Sequence, residues 1–387
     1  MRILLSCLQD LRQHTIPAYR FWATYFRNGI AEAGHEFAEI PNVDWAGGCA
    51  AKSNDELKVW RETIWTRTLD WVRTELGAGR RLDLFLSYFF PQQIEPSAIA
   101  EIKKLGIPCV NFFCDNVREF SSVPSEFKCF DLNWVPEYEA IPMYKVAKVP
   151  YLEAPMPCWV APELRTLPAR ETESPTFIGS ADDLRKQLFS DALNLGAELV
   201  VRGPGWSDRS AKHVSPKLRS ATSVFRNQLR FARKHGIKSL SYKLQNKVFS
   251  TEVIIPAAVI KPPVWGDEYF KVSREARITL GVNRVSTVRT GNRRPLVYSR
   301  LRDIEAPMLG ACYLTEFTAG LAHLYDLGEE IETYQTAEEL AHKIDMLKRD
   351  SVRRRRMRGR AQQRALNDHS MAKTLRRILK RLGMELK

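Results

Sequence analysis

The sequence lacks a long hydrophobic run and any close pairing of cysteines. Its longest apolar stretch, residues 253–260, spans eight residues and contains Pro256, whereas a membrane-spanning helix needs about twenty. The apolar start of the chain meets Gln9 and Asp10 too early for a signal-peptide core. The seven cysteines are scattered without a C-x-x-C pair, which indicates neither a disulfide framework nor a zinc site. These absences favour a protein of the reducing cytoplasm.

The composition is typical of a globular chain, with 387 residues of which 44% are apolar and 27% charged. At roughly 100–200 residues per domain, this length predicts two domains. Strand and helix patterns alternate through residues 1–160 and again through residues 176–366. The intervening residues 161–175 are interrupted by prolines, which are typical of a linker, and residues 367–387 carry the apolar stripe of a final helix. The alternation predicts an α/β fold with two doubly wound parallel sheets.

The positive charge is concentrated in two segments. The net charge of +14 comes from 59 basic and 45 acidic residues. Residues 207–250 hold 11 basic residues and one acid, and residues 348–360 hold eight basic residues and one acid. The basicity therefore needs local explanations.

The first basic segment has the pattern of an amphipathic helix, with Arg226, Arg230 and Arg233 on one face. This pattern fits an anionic membrane surface or, alternatively, a helix packed on its own domain. In the second segment, residues 353–356 are about 100° apart and surround a helix, which predicts a solvated helix rather than a binding stripe. Basic patches also bind nucleic acid without specificity, but the absence of a nucleic-acid motif argues against such a partner.

One motif makes the sequence similar to a known family. Residues 299–316, S-R-L-R-D-I-E-A-P-M-L-G-A-C-Y-L-T-E, resemble a signature of CgeB-like glycosyltransferases, relatives of the glycosyl transferases group 1 family. Residues 328–340 and the glycine turns at 177–180 and 201–206 resemble further segments of that family. The positions that match the signature are Arg302, Glu305, Gly310, Leu314, Thr315 and Glu316.

The resemblance implies a GT-B fold, in which two Rossmann-like domains face a cleft and the C-terminal helix can cross back to the N-terminal domain. It implies that residues 1–160 bind the acceptor and residues 176–366 bind a nucleotide-sugar donor. The expected activity is metal-independent transfer of a sugar to a glycan, lipid-linked or other acceptor, with no cofactor. The expected location is the cytoplasm, with the segment 207–250 allowing peripheral contact with the inner face of the membrane.

The resemblance also implies which residues bind the donor. Backbone N–H groups at a strand-to-helix turn and nearby arginines suit a diphosphate, and a carboxylate suits the ribose hydroxyls. Each position could alternatively have an ordinary structural role. Trp206 follows a glycine turn that would expose its ring for stacking on the nucleotide base, and packing in the core is the alternative. The candidates are Gly179, Ser180, Arg185, Gly203, Trp206, Asn283, Arg284, Arg302, Glu305, Thr315 and Glu316.

The N-terminal domain is expected to supply the catalytic base. Asp115 follows a strand at its carboxyl end, although capping a helix or a turn is the alternative. Asp10 and His14 lie in the first loop, and a histidine titrates near neutral pH. All three remain candidates at this point.

The sequence also departs from the family pattern. Val297 stands where retaining members often carry the first of two glutamates, which leaves the stereochemical outcome open. Two alternative functions therefore remain: a nucleic-acid-binding or DNA-glucosylating protein, and an inactive nucleotide-sugar-binding partner subunit.

Overall fold

The computed structural model describes residues 1–7, 19–51, 53–171, 174–207, 253–287 and 294–384. The chain forms two compact units. The first comprises Met1–Val160 and Leu366–Lys387, and the second comprises Ala161–Ala365. The first unit is therefore assembled from two distant stretches of the chain.

A six-stranded parallel sheet forms the centre of the first unit. Its strands are β1 (Arg2–Cys7), β2 (Glu36–Ala38), β3 (Leu84–Tyr88), β4 (Cys109–Phe112), β5 (Leu132–Val135) and β6 (Tyr151–Glu153). They lie in the order β2-β1-β3-β4-β5-β6, and each neighbouring pair is parallel. The strands β3, β4 and β5 are buried along their whole length, as expected for a sheet covered on both faces.

The helices before the linker follow the strands in alternation. They are α1 (Tyr19–Glu32), α2 (Gly47–Ala50), α3 (Asn54–Gly77), α4 (Pro96–Lys104), α5 (Asn116–Glu119) and α6 (Ile141–Ala147). The longest, α3, begins where the Ser53 side chain accepts a hydrogen bond from the Glu56 backbone N–H at 3.1 Å. This contact satisfies one of the N–H groups that a helix start leaves without an intrahelical partner.

A second six-stranded parallel sheet forms the centre of the second unit. Its strands are β7 (Thr176–Ile178), β8 (Val200–Arg202), β9 (Ile260–Lys261), β10 (Thr279–Gly281), β13 (Tyr313–Glu316) and β14 (Glu332–Tyr334), while β11 (Arg284–Val285) and β12 (Leu296–Val297) form a separate antiparallel pair. The sheet order is β14-β13-β10-β7-β8-β9. The chain order reverses between β7 and β10, and open α/β sheets bind ligands at such a point.

The remaining helices are α7 (Asp183–Asn194), α8 (Gly266–Glu275), α9 (Arg302–Met308), α10 (Leu321–Leu324), α11 (Ala337–Arg349), α12 (Ser351–Asp368) and α13 (Met371–Arg381). The last of these packs against α1. A Cβ atom at Gly29 of α1 would lie 2.5 Å from Cβ of Met371. The missing side chain of Gly29 therefore permits this close helix–helix contact.

The arginine-rich helix α12 differs from the solvated helix predicted for it. Arg354 and Arg358 are buried, and both form ion pairs with Glu171 of the proline-rich segment, at 2.5 and 3.3 Å. Arg358 also donates hydrogen bonds to the carbonyl oxygens of Gly310 and Ala276, at 2.9 and 2.6 Å. These arginines therefore stabilise the second unit from within.

The predicted α/β fold with two parallel sheets is confirmed. Across the described residues, no helix has both the length and the apolar character needed to cross a membrane. The basic segment 207–250, including Arg226, Arg230 and Arg233, lies outside the described residues except for Ser207.

Candidate functional site

The first part of the candidate site is the glycine turn that follows β7. The Gly179 backbone N–H donates to the carbonyl oxygen of Arg202 at 2.8 Å, which joins this turn to the end of β8. Gly203 has φ +141°, and a Cβ atom there would lie 2.2 Å from the Gly179 carbonyl oxygen. Only glycine fits this position, so the two predicted glycines form one tightly packed double turn.

Trp206 supports this double turn. Its indole N–H donates to the Gly179 carbonyl oxygen at 2.8 Å, and its ring packs against Phe177 and Phe189. The side chain is 3% exposed, which leaves no accessible ring face for the base stacking considered from the sequence. The structure gives Trp206 the packing role that was the alternative, because the ring folds back into the core beneath the turn.

Arg185 lies at the start of α7, which is capped by Asp182. The Asp182 side chain accepts a hydrogen bond from the Arg185 backbone N–H at 2.9 Å. The Arg185 guanidinium donates to the Ser180 carbonyl oxygen at 2.8 Å and lies over the Phe177 ring. These contacts hold a mostly buried cation beside the glycine turn.

Two further arginines approach the same place. Burial lowers the pKa of Arg185, and the positive charges of Arg300 and Arg302 lower it further. The Arg300 guanidinium lies over the Tyr298 ring, and that of Arg302 lies over the Tyr269 ring. The Nη1 atom of Arg302 is buried without a hydrogen-bond partner in the described part of the chain. The three guanidinium groups create a positive potential that suits an anion.

Glu305 lies on α9 and is 6% exposed. The Tyr269 hydroxyl of α8 donates a hydrogen bond to its carboxylate. Glu305 is thus held in a fixed position by a neighbouring helix, and it is not the solvent-facing residue that a helical glutamate would ordinarily be.

A buried carboxylate, Asp303, organises the start of α9. It accepts hydrogen bonds from the Ser299 hydroxyl at 2.9 Å, from the Arg300 backbone N–H at 2.8 Å and from the Tyr313 hydroxyl at 2.8 Å. The Thr315 hydroxyl also donates to it, at 3.1 Å. Burial raises the pKa of Asp303, while these hydrogen bonds oppose the rise. Asp303 therefore fixes the backbone that carries Arg300.

Glu316 organises the loop after β10. One of its oxygens accepts the backbone N–H groups of Asn283 and Arg284, at 3.1 and 2.9 Å. The other lies 2.6 Å from Nη2 of Arg284. The Asn283 side-chain amide donates to the Glu316 carbonyl oxygen at 2.9 Å and to the Thr315 hydroxyl oxygen at 3.3 Å. These four predicted residues are thus connected by direct hydrogen bonds.

The structure brings the predicted donor-site residues together at the carboxyl ends of β7, β8, β10 and β13. Three residues of the same region were not predicted, namely Tyr269, Arg300 and Asp303. Arg300 and Asp303 stand within the S-R-L-R-D-I-E segment, so a search for charged residues beside the matched motif positions would have found them. Nothing in the sequence marks Tyr269, whose partner lies 36 residues away.

Of the three candidate bases, only Asp115 lies among the described residues; Asp10 and His14 do not. Asp115 follows β4 at the N-cap position of α5, but its side chain makes no capping hydrogen bond there. Its carboxylate lies 4.0 Å from Nη1 of Arg118. The Asp115 side chain therefore does not cap α5, and its role as a base stays a prediction.

Within the ranges that the structure describes, no group of three or more His, Cys, Asp and Glu side chains could hold a metal ion. The seven cysteines are all free thiols.

A doubly wound sheet with a cationic glycine turn at its switch point defines the class of phosphate-binding α/β proteins. Comparison with known families is more specific. The model of the glycosyl transferase-like family matches residues 185–380, half of the chain. The chain belongs to this family and is a glycosyltransferase with the GT-B fold. The CgeB-like subtype stays a prediction.

Solved structures show the same fold over the whole chain. AviGT4, a glycosyltransferase of avilamycin A biosynthesis, is 13% identical with a TM-score of 0.54, over 98% of this chain and 96% of that one. The sucrose-phosphate synthase of Thermosynechococcus elongatus is 13% identical with a TM-score of 0.55, over 99% and 98%. HepE of Anabaena, solved with UDP and glucose, is 10% identical with a TM-score of 0.53, over 99% of both chains. No curated protein sequence is significantly similar to the chain.

Proposed function

We propose that this glycosyltransferase uses a nucleoside-diphosphate sugar as donor and binds it in the second unit. The observation that carries the proposal is the cluster of Arg185, Arg300 and Arg302 beside the Gly179 turn. Within the described part of the chain, neither Arg300 nor Arg302 forms an ion pair at salt-bridge distance. Burial lowers the pKa of Arg302, but Tyr269 and the carboxylates of Glu305 and Asp303 raise it overall, so it stays charged beside the proposed diphosphate. HepE, which has the same fold, was solved with UDP.

The other donor-site residues have proposed roles that follow from their positions. The N-terminal end of α7 and the backbone around Gly179 and Ser180 face the diphosphate. Glu305 accepts hydrogen bonds from the ribose hydroxyls, and Tyr269 holds it in place. The linked residues Asn283, Arg284, Thr315 and Glu316 form the wall next to the phosphates.

Catalysis then depends on charge stabilisation and on one base. As the bond between the sugar and the diphosphate breaks, negative charge grows on the departing phosphate oxygens. Preorganised guanidinium groups stabilise that charge without a metal ion. The acceptor hydroxyl loses its proton to Asp115 in the first unit, with Asp10 and His14 as the alternatives.

A binding experiment tests the donor proposal. UDP, GDP, dTDP and CMP sugars are screened by thermal shift, and the tightest binder is measured by calorimetry. Arg302→Ala removes a charge-assisted contact of about 1.5–3 kcal/mol, which is a roughly 10- to 100-fold loss of affinity. Arg349→Ala is the matched control, because Arg349 is exposed and pairs with Asp345 on α11. Stabilisation by none of the nucleotides, or by the CMP sugar alone, would refute the proposal.

We further propose that the acceptor is a glycan or a lipid-linked sugar, reached by peripheral binding at the inner face of the cytoplasmic membrane. The basic pattern in residues 207–250 supports this proposal. Liposomes containing anionic lipid should sediment the protein, and charge reversal at Arg226, Arg230 and Arg233 should abolish this. Equal sedimentation of the reversed variant would contradict membrane binding.

A further inference from the structure

A buried carboxyl group lies next to the loop that carries Asp115. Glu137 follows β5, and its side chain is 0% exposed. Since β4 and β5 are parallel neighbours, the residues that follow them lie at the same edge of the sheet. One oxygen of Glu137, Oε2, accepts the backbone N–H of Asn116 at 2.8 Å. Glu137 therefore holds the residue next to Asp115.

Asn116 is held from two other directions as well. Its side-chain amide donates to the Phe113 carbonyl oxygen at 2.9 Å, and its side-chain oxygen accepts a hydrogen bond from the Tyr144 hydroxyl at 2.9 Å. Asn116, the neighbour of Asp115, is thus fixed by contacts with Phe113 after β4, with Tyr144 of α6 and with Glu137.

The second oxygen of Glu137, Oε1, is buried without a hydrogen-bond partner among the described residues. Burying a charged oxygen without a hydrogen-bond partner costs a large free energy, whereas burying a neutral carboxyl group costs much less. Among the described residues, the ionisable groups that act on Glu137 or respond to it are the acids Asp115 and Glu139 and the hydroxyl of Tyr144. The nearby cation Arg118 lies beside Asp115. These surroundings favour a neutral Glu137.

Burial raises the pKa of Glu137 to about 8, and the charges of Asp115 and Glu139 act in the same direction, against the hydrogen bonds from Asn116. Asp115 is more exposed, with 27% of its side chain accessible. Two neighbouring carboxyl groups that differ in burial hold their first proton on the more buried one.

We propose that Glu137 and Asp115 form a carboxyl pair with one proton at neutral pH, with the proton on Glu137 and the negative charge on Asp115. Glu137 is thereby a positioning residue that keeps the base of sugar transfer ionised and in place. The inference rests on the proposed role of Asp115. In the transfer step, the acceptor oxygen bonds to the sugar carbon and its proton passes to Asp115. The bonding pair of the sugar–phosphate bond leaves with the diphosphate.

Spectroscopic titration tests the pair without any activity measurement. Infrared absorption of the protonated carboxyl C=O group is followed between pH 6 and 10. We expect a band that disappears near pH 8 and is missing in Glu137→Gln. Asp115→Asn should lower the midpoint by roughly one pH unit, because a like charge is removed. Glu62→Gln, an exposed change on α3, should leave the midpoint unchanged. The proposal of a coupled carboxyl pair is refuted if the band is unaffected by Glu137→Gln or if the midpoint is unaffected by Asp115→Asn.

Kinetics then test its role in transfer. The kcat/KM profile of the native protein should bend near pH 8, and Glu137→Gln should remove this bend because glutamine does not ionise. A purely structural role would leave the profile unchanged, since glutamine can still accept the Asn116 N–H. If Glu137→Gln does not fold, the infrared titration of Asp115→Asn by itself tests whether the two carboxyl groups are coupled. A coupled titration in a protein without transfer activity would refute the proposed function and leave the pair intact.

Discussion

Replacing Gly203 by alanine should push apart the two turns of the second unit that contain Gly179 and Gly203. The new Cβ atom would lie 2.2 Å from the Gly179 carbonyl oxygen, so the two turns must move apart by roughly 1 Å. The backbone at φ +141° adds a conformational cost of about 1–2 kcal/mol. Separation also weakens the hydrogen bonds that join Gly179 to Arg202 and Trp206, each costing about 1–3 kcal/mol when its buried groups are left unpaired.

The expected total is about 3–8 kcal/mol, which corresponds to a fall in Tm of roughly 6–30 °C for a unit of this size, at about 2–4 °C per kcal/mol. Scanning calorimetry measures this change in Tm from the unfolding transition of the second unit. The control is Gly196→Ala, because Gly196 also has positive φ, +87°, but nothing lies within 4 Å of its added Cβ. That variant should lose only a few degrees. Equal losses in the two variants, or an unchanged Tm for Gly203→Ala, would refute the reasoning from close contact.

Three further predictions concern other parts of the chain. Gly29→Ala forces the Met371 side chain away from α1 and should lower the free energy of unfolding by about 1–3 kcal/mol in urea titration. Asp303→Asn replaces one carboxylate oxygen by an NH2 group, which then faces existing donors, either the Ser299 hydroxyl and the Arg300 N–H at Oδ2 or the Tyr313 and Thr315 hydroxyls at Oδ1. This change should weaken UDP binding about tenfold by calorimetry, and unchanged affinity would contradict the role of Asp303. Because the pKa of Glu137 rises from 4.5 to about 8 on folding, the native free energy of unfolding should fall by on the order of 4 kcal/mol from pH 5 to pH 8. Glu137→Gln should remove that slope in urea titrations across the range.

The sequence predicted features that depend on neighbouring residues. The alternating strands and helices and the glycine turn after β7 are local patterns. Strands β6, β9 and β14 have only two or three residues, too few to show a period, so their pairing with neighbouring strands defines them rather than their own sequence. Trp206 was considered as an exposed ring because it follows two glycines, but distant core residues decide where its ring packs.

The sequence also could not predict which charged residues form ion pairs, for a related reason. A helical projection gives the angle of each arginine of α12 but not the acid opposite it. Glu171 and Glu332, which pair with Arg354 and Arg353, lie 183 and 21 residues away. The same limit applies to Tyr269 and Glu305, whose contact joins two helices.

The position of α13 has a consequence for how the protein is made. The segment that separates the two parts of the first unit, Ala161–Ala365, contains about 200 residues, which a ribosome adds in roughly 10–40 s at about 5–20 residues per second. During that time, α1 has been synthesised but its partner helix has not. The face of α1 that receives Met371 stays uncovered until α13 has been synthesised. Chaperones that recognise apolar helices should therefore engage the nascent chain at α1 and be released when α13 emerges.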